Sequence, residues 1–246
     1  MIYRKLIRFF LVAVLVVTFQ SSYSLNNYDE RLYGCFVSSN MAEWERVMTD
    51  LERDLDATQN IQIEFQLLHA QYGYIGFLIG SSKTIVASEY IAKADKHIEK
   101  LLKANPRWVE VIALNAAILA YKIAIAPYKV IYLGARSVWM LDDALEMDSD
   151  NPFVLIEKGN SKHYAPSFIG GNPQKAIAFY QKAANKIKES NQTKTWWYLN
   201  TLTQMALAAE KAKDYKLALK IYKEILSMEP NFKWVKDDLY PRILKK

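Results

Sequence analysis

The chain has 246 residues and a mass of 28.4 kDa, enough for one large domain or two small ones with a substantial hydrophobic core. Its eight glycines and seven prolines are about half the usual share, which argues against a β-sandwich or barrel with many short strands. The formal charge of +6 includes three bases in the first 24 residues; beyond them 29 bases face 26 acids, which excludes a strongly basic nucleic-acid-binding protein.

The first 24 residues have the three-part pattern of a secretory signal peptide. Three bases precede an apolar run over 9–19, and Ser22 and Ser24 provide the small side chains that cleavage before Leu25 requires. The run is shorter than the roughly 20 residues that cross a bilayer. We therefore predict a signal peptide over residues 1–24, export to a bacterial periplasm and no stable membrane span after cleavage. A retained anchor is the alternative.

After the signal peptide, apolar side chains recur every three or four positions, which predicts helices. The first clear stripe consists of Trp44, Val47, Met48, Leu51 and Leu55. The segment 61–79 is apolar on nearly all sides, as expected for a helix that several neighbours cover. Because terminal units of repeat proteins are often atypical, we expect residues 25–80 to form a capping pair of helices.

Residues 109–126 form a second very apolar stretch, for which a membrane span and a buried helix are both considered. Glu110 and Lys122 lie within it, and each charge costs about 2.5–3.5 kcal/mol at membrane depth. We therefore predict a buried helix that ends at Pro127.

Helix starts are predicted where asparagine precedes proline, because asparagine caps the helix and proline suits its first position. The pairs are Asn105-Pro106, Asn151-Pro152 and Asn172-Pro173, and Asp214 is predicted to cap a further helix.

The segment 199–232 spans 34 residues and contains large and small residues at regular offsets. They are Leu202, Met205, Ala206 and Ala209 in a first helix, and Ala218, Tyr222 and Ile225 in a second. This pattern resembles the tetratricopeptide repeat, in which small residues let two antiparallel helices approach closely. Gly159, Ala176 and Tyr180 fit a second unit that begins near Asn151.

The resemblance implies an all-α fold: an α-solenoid of antiparallel helix hairpins, a tetratricopeptide-like superhelix, over residues 81–246 and continuous with 25–80. Such a superhelix presents residues of the first helix of each hairpin on a concave groove. The positions that the resemblance assigns to the groove are Phe153, Ile156, Asn160, His163, Asn200, Thr203, Leu207 and Glu210.

The segment 165–172 is longer than a plain repeat turn requires. With the preceding Tyr164 it resembles a Tyr-x-Pro-x-x-x-Gly-Gly segment of exported bacterial tetratricopeptide proteins, including accessory subunits of periplasmic solute transporters. One interpretation is a loop that brings Tyr164 and Phe168 to a binding groove. The other is structural: Phe168 fills the core and Gly170-Gly171 allow a sharp turn before the Asn172 cap. Trp197 either stacks on a ligand or seals one repeat against the next.

The sequence offers no pattern for catalysis or metal binding. His69, His97 and His163 lack the spacing of a zinc site, and Cys35 has no adjacent histidine. The sequence therefore predicts a non-enzymatic scaffold without cofactor, metal or nucleic acid, which binds another envelope protein or peptide in its groove. The alternative is a small-molecule-binding accessory subunit of a periplasmic transporter.

Overall fold

The computed structural model describes residues 27–246, which are helical and contain no β-strand. The predicted signal peptide and its cleavage site lie outside the described residues. The helices are α1 (27–38), α2 (Met41–Thr58), α3 (Ile61–Gly80), α4 (Thr84–Ala104), α5 (Val109–Ile125), α6 (Val130–Met147), α7 (Pro152–Tyr164), α8 (Pro173–Glu189), α9 (Trp196–Lys211), α10 (Tyr215–Met228) and α11 (Tyr240–Ile243). A π-helical segment, Trp234–Leu239, precedes α11. The predicted all-α fold class is confirmed.

Consecutive helices from α2 to α10 pack against each other, and α3, α5, α7 and α9 also contact one another in that order. Short turns reverse the chain between helices, so these four odd-numbered helices run parallel and each has an antiparallel even-numbered partner. Side-chain contacts give the same alignment: Phe65 near the start of α3 meets Trp108 before α5, and Gly76 near the end of α3 meets Tyr121 near the end of α5.

The apolar stripes predicted from the sequence face the core. All five residues of the α2 stripe are buried, and α5 contributes eight buried side chains. Within residues 27–246, every helix is too short or too polar to cross a membrane.

Close helix approach in the α7–α8 hairpin depends on one glycine. A Cβ atom placed on Gly159 would lie 2.5 Å from the ring of Tyr180, which is fully buried. The α9–α10 hairpin is similar in kind, with Ala206, Ala218 and Tyr222 all buried in one apolar cluster. The predicted pairing of small and large residues is therefore confirmed in both hairpins.

Three of the four predicted helix caps are confirmed. Asn151, Asn172 and Asp214 each accept a hydrogen bond from a backbone N–H in the first turn of the following helix. The prediction for Asn105 is wrong, because this residue directly follows the end of α4, and α5 begins only at Val109. The Asn105 side chain instead accepts from the N–H of Arg107 and forms a local turn.

The first helix bridges the two ends of the helix series. The ring of Phe36 lies 6.0 Å from that of Trp196 and 5.0 Å from that of Phe232, while the Tyr33 hydroxyl donates to Glu229. Residues 27–80 hold three helices where the sequence predicted a pair. The break lies at Ser39, whose φ of 54° ends α1, and at Asn40, which caps α2.

Candidate functional site

Half-buried rings lie side by side at the amino-terminal ends of the odd-numbered helices, and we call them the aromatic surface. They are Phe65 and His69 of α3, Trp108 just before α5, Phe153 of α7 and Trp197 of α9. The ring centroids are 5.2 Å apart for Trp108 and Phe65, 5.8 Å for Phe65 and Phe153, and 5.2 Å for Phe153 and Trp197. These separations are typical of interacting aromatic pairs.

The local sequence explains why these rings meet. Phe153 follows the Asn151 cap and Pro152, while Trp197 is the second residue of α9, which Thr195 caps. Because the odd-numbered helices run parallel, their first turns lie at the same end. The exposed bases Arg107 and Lys194 lie at the same end, just before α5 and α9.

His69 lies at the centre of the aromatic surface. Its ring centroid is 4.9 Å from that of Phe153 and 4.7 Å from that of Trp196. Burial among these rings lowers the pKa of His69 to about 3, since a charged imidazole would lose its hydration. His69 is therefore neutral at pH 7. A neutral imidazole can bind a metal or exchange hydrogen bonds with a ligand.

A polar network lies next to the aromatic surface, between α3, α7 and α8. The Tyr72 hydroxyl donates to Glu157 Oε1 at 2.6 Å, and Asn160 Nδ2 donates to Glu157 Oε2 at 3.0 Å. The Tyr180 hydroxyl donates to Asn160 Oδ1 at 2.7 Å. Burial raises the pKa of Glu157 to about 7, although the hydrogen bonds from Tyr72 and Asn160 oppose the shift. The network thus holds a carboxyl group that is partly protonated near neutral pH.

A small cavity separates the aromatic surface from this network. Its volume is about 10 Å³, near the minimum that holds one water molecule. Side chains from all four odd-numbered helices α3, α5, α7 and α9 line it, including His69, Leu114, Phe153 and Trp197. The space between the odd-numbered helices is therefore filled by the protein's own side chains, and a larger ligand must lie over the rings or displace them.

The structure brings together four of the residues predicted from the sequence. Phe153, Ile156, Trp197 and Asn200 line the same cavity, and Asn160 lies one step deeper in the polar network. Of these, Phe153, Trp197, Asn160 and Asn200 are half-buried, while Ile156 is buried.

Four other predicted groove residues lie apart from this cavity. Thr203 is fully buried, and its hydroxyl donates to the carbonyl of Leu199. Glu210 is buried and accepts from Tyr222, Arg242 and Lys246. His163 is also buried, and Leu207 is half-buried against the C-terminal apolar cluster. Their surroundings are those of core residues.

The loop between α7 and α8 contains exposed apolar side chains. Phe168 is 86% exposed, so the interpretation in which it fills the core is wrong. Tyr164 is exposed as well, and its hydroxyl donates to Gln204 of α9 at 2.6 Å. The structural interpretation is correct for the glycines. Gly170 has a φ of 96°, and a Cβ on Gly171 would lie 1.9 Å from the carbonyl oxygen of Ala165.

Sequence reasoning missed Phe65, His69 and Trp108 as parts of the site. A signal was present, because aromatic residues recur at 65, 108, 153 and 197, with spacings of 43, 45 and 44 residues. Such a period matches one helix hairpin per repeat. Within residues 27–246, the His, Cys, Asp and Glu side chains form no group of three that would suit a metal ion.

Comparisons with protein-family models and with curated proteins give no match for this chain. A search of solved structures finds a similar fold in the HusA haemophore from Porphyromonas gingivalis, with a TM-score of 0.59 and 18% sequence identity. The match covers 76% of this chain and 93% of that chain. At this identity the similarity shows a shared helical fold.

Proposed function

We propose that the protein is a non-enzymatic binding protein that holds a flat, apolar ligand of the porphyrin class on its aromatic surface. The observation that carries the proposal is the continuous row of half-buried rings from Trp108 through Phe65 and Phe153 to Trp197. A planar ligand gains most from such a row, because each ring that it covers adds apolar contact and stacking.

The groups around the rings suit a porphyrin. Arg107 and Lys194, at the same end of the helices, can pair with the carboxylates that porphyrins of the haem type carry. Neutral His69 is a suitable ligand for haem iron. The small cavity implies that the ligand lies across the rings instead of being enclosed. The fold shared with a protein named as a haemophore supports testing this ligand class first.

The test is to titrate the chain that begins at Leu25 with haemin and with metal-free protoporphyrin. Binding is measured by the quenching of tryptophan fluorescence. Replacing Phe153 with alanine removes a central ring, and we expect about tenfold weaker binding of both compounds, equivalent to about 1.4 kcal/mol. Phe168→Ala is the matched control, because that ring lies outside the aromatic surface and is expected to leave the affinity unchanged.

A second pair of variants separates the ring surface from the iron. His69→Ala is expected to weaken haemin binding more than protoporphyrin binding. The control is His97→Ala in α4, which removes a contact with Glu64 of α3 and is expected to change the binding of neither compound. Absence of porphyrin binding by the unmodified chain, or equal losses in Phe153→Ala and Phe168→Ala, would contradict the proposal.

A second candidate is the binding of a polypeptide segment of another envelope protein. The half-buried amide side chains of Asn200 and Gln204 favour it, since amides can pair with a peptide backbone. Parallel odd-numbered helices and the close Gly159–Tyr180 contact support a tetratricopeptide-like arrangement, which commonly binds peptides. Capture of a partner that survives saturating porphyrin and is lost in Asn200→Arg would favour this candidate.

We also propose that the mature chain is exported. A role as an accessory subunit of a periplasmic solute transporter remains part of this proposal. The basic, apolar and small-residue pattern of residues 1–24 supports export. N-terminal sequencing of the protein from cells tests it, with Leu25 expected as the first residue.

A further inference from the structure

Three successive turns of the molecule expose apolar side chains. They are the turns from α3 to α4, from α5 to α6 and from α7 to α8, whose most exposed members are Ile85 at 81%, Ile131 at 84% and Phe168 at 86%. Beside Ile131, the side chains of Tyr128 and Tyr132 are exposed as well. Isolated exposed apolar residues are common, but a series of this kind at equivalent positions is not.

The three turns lie on the same edge of the molecule. Each one follows the carboxyl-terminal end of an odd-numbered helix, and these helices run parallel. The contacts Gly76–Tyr121 and Tyr164–Gln204 confirm the alignment close to this edge. We call the three turns together the turn edge, and it lies at the opposite end of the helices from the aromatic surface.

The turn edge is basic. Residues 81–86, 127–136 and 164–175 contain four basic residues but no aspartate or glutamate.

 The four bases of these segments are Lys83, Lys129, Arg136 and Lys175. In the part of the chain that the structure describes, none of the four is held in an ion pair. Unpaired cations next to exposed apolar and aromatic side chains are typical of surfaces that bind anionic lipid headgroups.

We propose that the turn edge docks on the surface of an anionic phospholipid bilayer. Its apolar side chains protrude from separate turns instead of lining a groove, so they suit a soft interface better than the fitted surface of a protein. Tyrosine prefers the headgroup region of a membrane, where Tyr128 and Tyr132 would lie. The bases would then meet the lipid phosphates, and the aromatic surface at the other end would face away from the membrane.

The experiment is vesicle flotation with the chain beginning at Leu25, which contains every described helix. Vesicles of phosphatidylcholine with phosphatidylglycerol are expected to carry the protein, while vesicles of phosphatidylcholine alone carry at least tenfold less. The double variant Ile131→Asp, Phe168→Asp is expected to reduce binding at least tenfold, with an unchanged helical circular dichroism spectrum because both side chains are exposed. Binding should also weaken in 1 M salt, which screens charge.

The matched control is Met147→Asp, at the other end of the same helix as Ile131, which is expected to bind like the unmodified chain. Equal binding to both kinds of vesicle, no flotation at all, or an equal loss in Met147→Asp would overturn the proposal. The proposal would also be overturned if the protein did not bind vesicles but formed a dimer in sedimentation velocity that Ile131→Asp dissociates. The turn edge would then bind a second copy of this chain.

Discussion

The two ends of the odd-numbered helices use apolar side chains in opposite ways. At the amino-terminal ends, rings such as Phe153 and Trp197 pack against each other and keep only part of their surface exposed. At the carboxyl-terminal ends, Ile131 and Phe168 project from turns with more than four-fifths of their surface exposed. Burial therefore separates residues that shape the fold and the candidate site from residues that are available for contact with something outside the chain.

The largest expected effect comes from a buried ring beneath the aromatic surface. Trp196 is 3% exposed and lies 5.2 Å from Trp44 and 4.7 Å from His69, measured between ring centroids. Trp196→Ala leaves a cavity where α2, α3 and α9 meet, and we expect it to lower the free energy of unfolding by about 3–5 kcal/mol. Urea denaturation followed by circular dichroism measures the loss.

The matched variant at the other end is Phe168→Ala. Since this ring is almost fully exposed, we expect a change within about 0.5 kcal/mol. Similar losses for the two variants would show that the contrast between the two ends is mistaken.

A smaller effect is expected at the α7–α8 contact, which lies between the two ends. In Gly159→Ala the new methyl group meets the Tyr180 ring, and this overpacking outweighs the higher helix propensity of alanine. We expect a net loss of about 1–2 kcal/mol in urea denaturation. The control Gly34→Ala, in α1 with no atom near the new Cβ, is expected to stabilise the protein by about 0.5–1 kcal/mol. If Gly159→Ala stabilised the protein as Gly34→Ala is expected to do, the close contact between Gly159 and Tyr180 would be contradicted.

The pH dependence of stability tests the polar network next to the aromatic surface. Burial raises the pKa of Glu157 from 4.5 to about 7, so between these values the native protein holds a proton that the unfolded chain has released. Stability from this group is therefore lost as the pH rises through that window, by about 2 kcal/mol between pH 5.5 and pH 8. In Glu157→Gln the free energy of unfolding is expected to change by about 2 kcal/mol less between these pH values than in the unmodified protein. Urea denaturation of both proteins at pH 5.5 and pH 8 measures the difference. Parallel profiles would mean that Glu157 keeps an ordinary pKa.

Much of the local structure was predictable because it depends on neighbours in the sequence. Asn151 and Asn172 cap helices as predicted, since an asparagine before proline offers its side chain to the next turn. Asn105 shows the limit of this reasoning, because the same dipeptide also forms a turn that precedes α5 by several residues. The choice between the two depends on where the neighbouring helices pack.

The site was predictable only in part. Phe153, Ile156 and Asn200 were assigned to a groove by the repeat pattern, and they do line one cavity. Thr203 and Glu210 were assigned by the same pattern, yet they are buried with partners inside the protein. A repeat pattern specifies positions along a helix, but the neighbours that pack against the helix decide which of those positions remain open.

The amino-acid sequence by itself determined the helical class, most of the helix caps and the small residues that let α7 approach α8 and α9 approach α10, because these depend on periodicity and adjacent side chains. Only the tertiary structure decided that Phe65, Trp108, Phe153 and Trp197 form one surface and that Phe168 is exposed. The physical reason is that residues more than 40 positions apart meet only after the odd-numbered helices have aligned in parallel, and this alignment results from the packing of the whole chain.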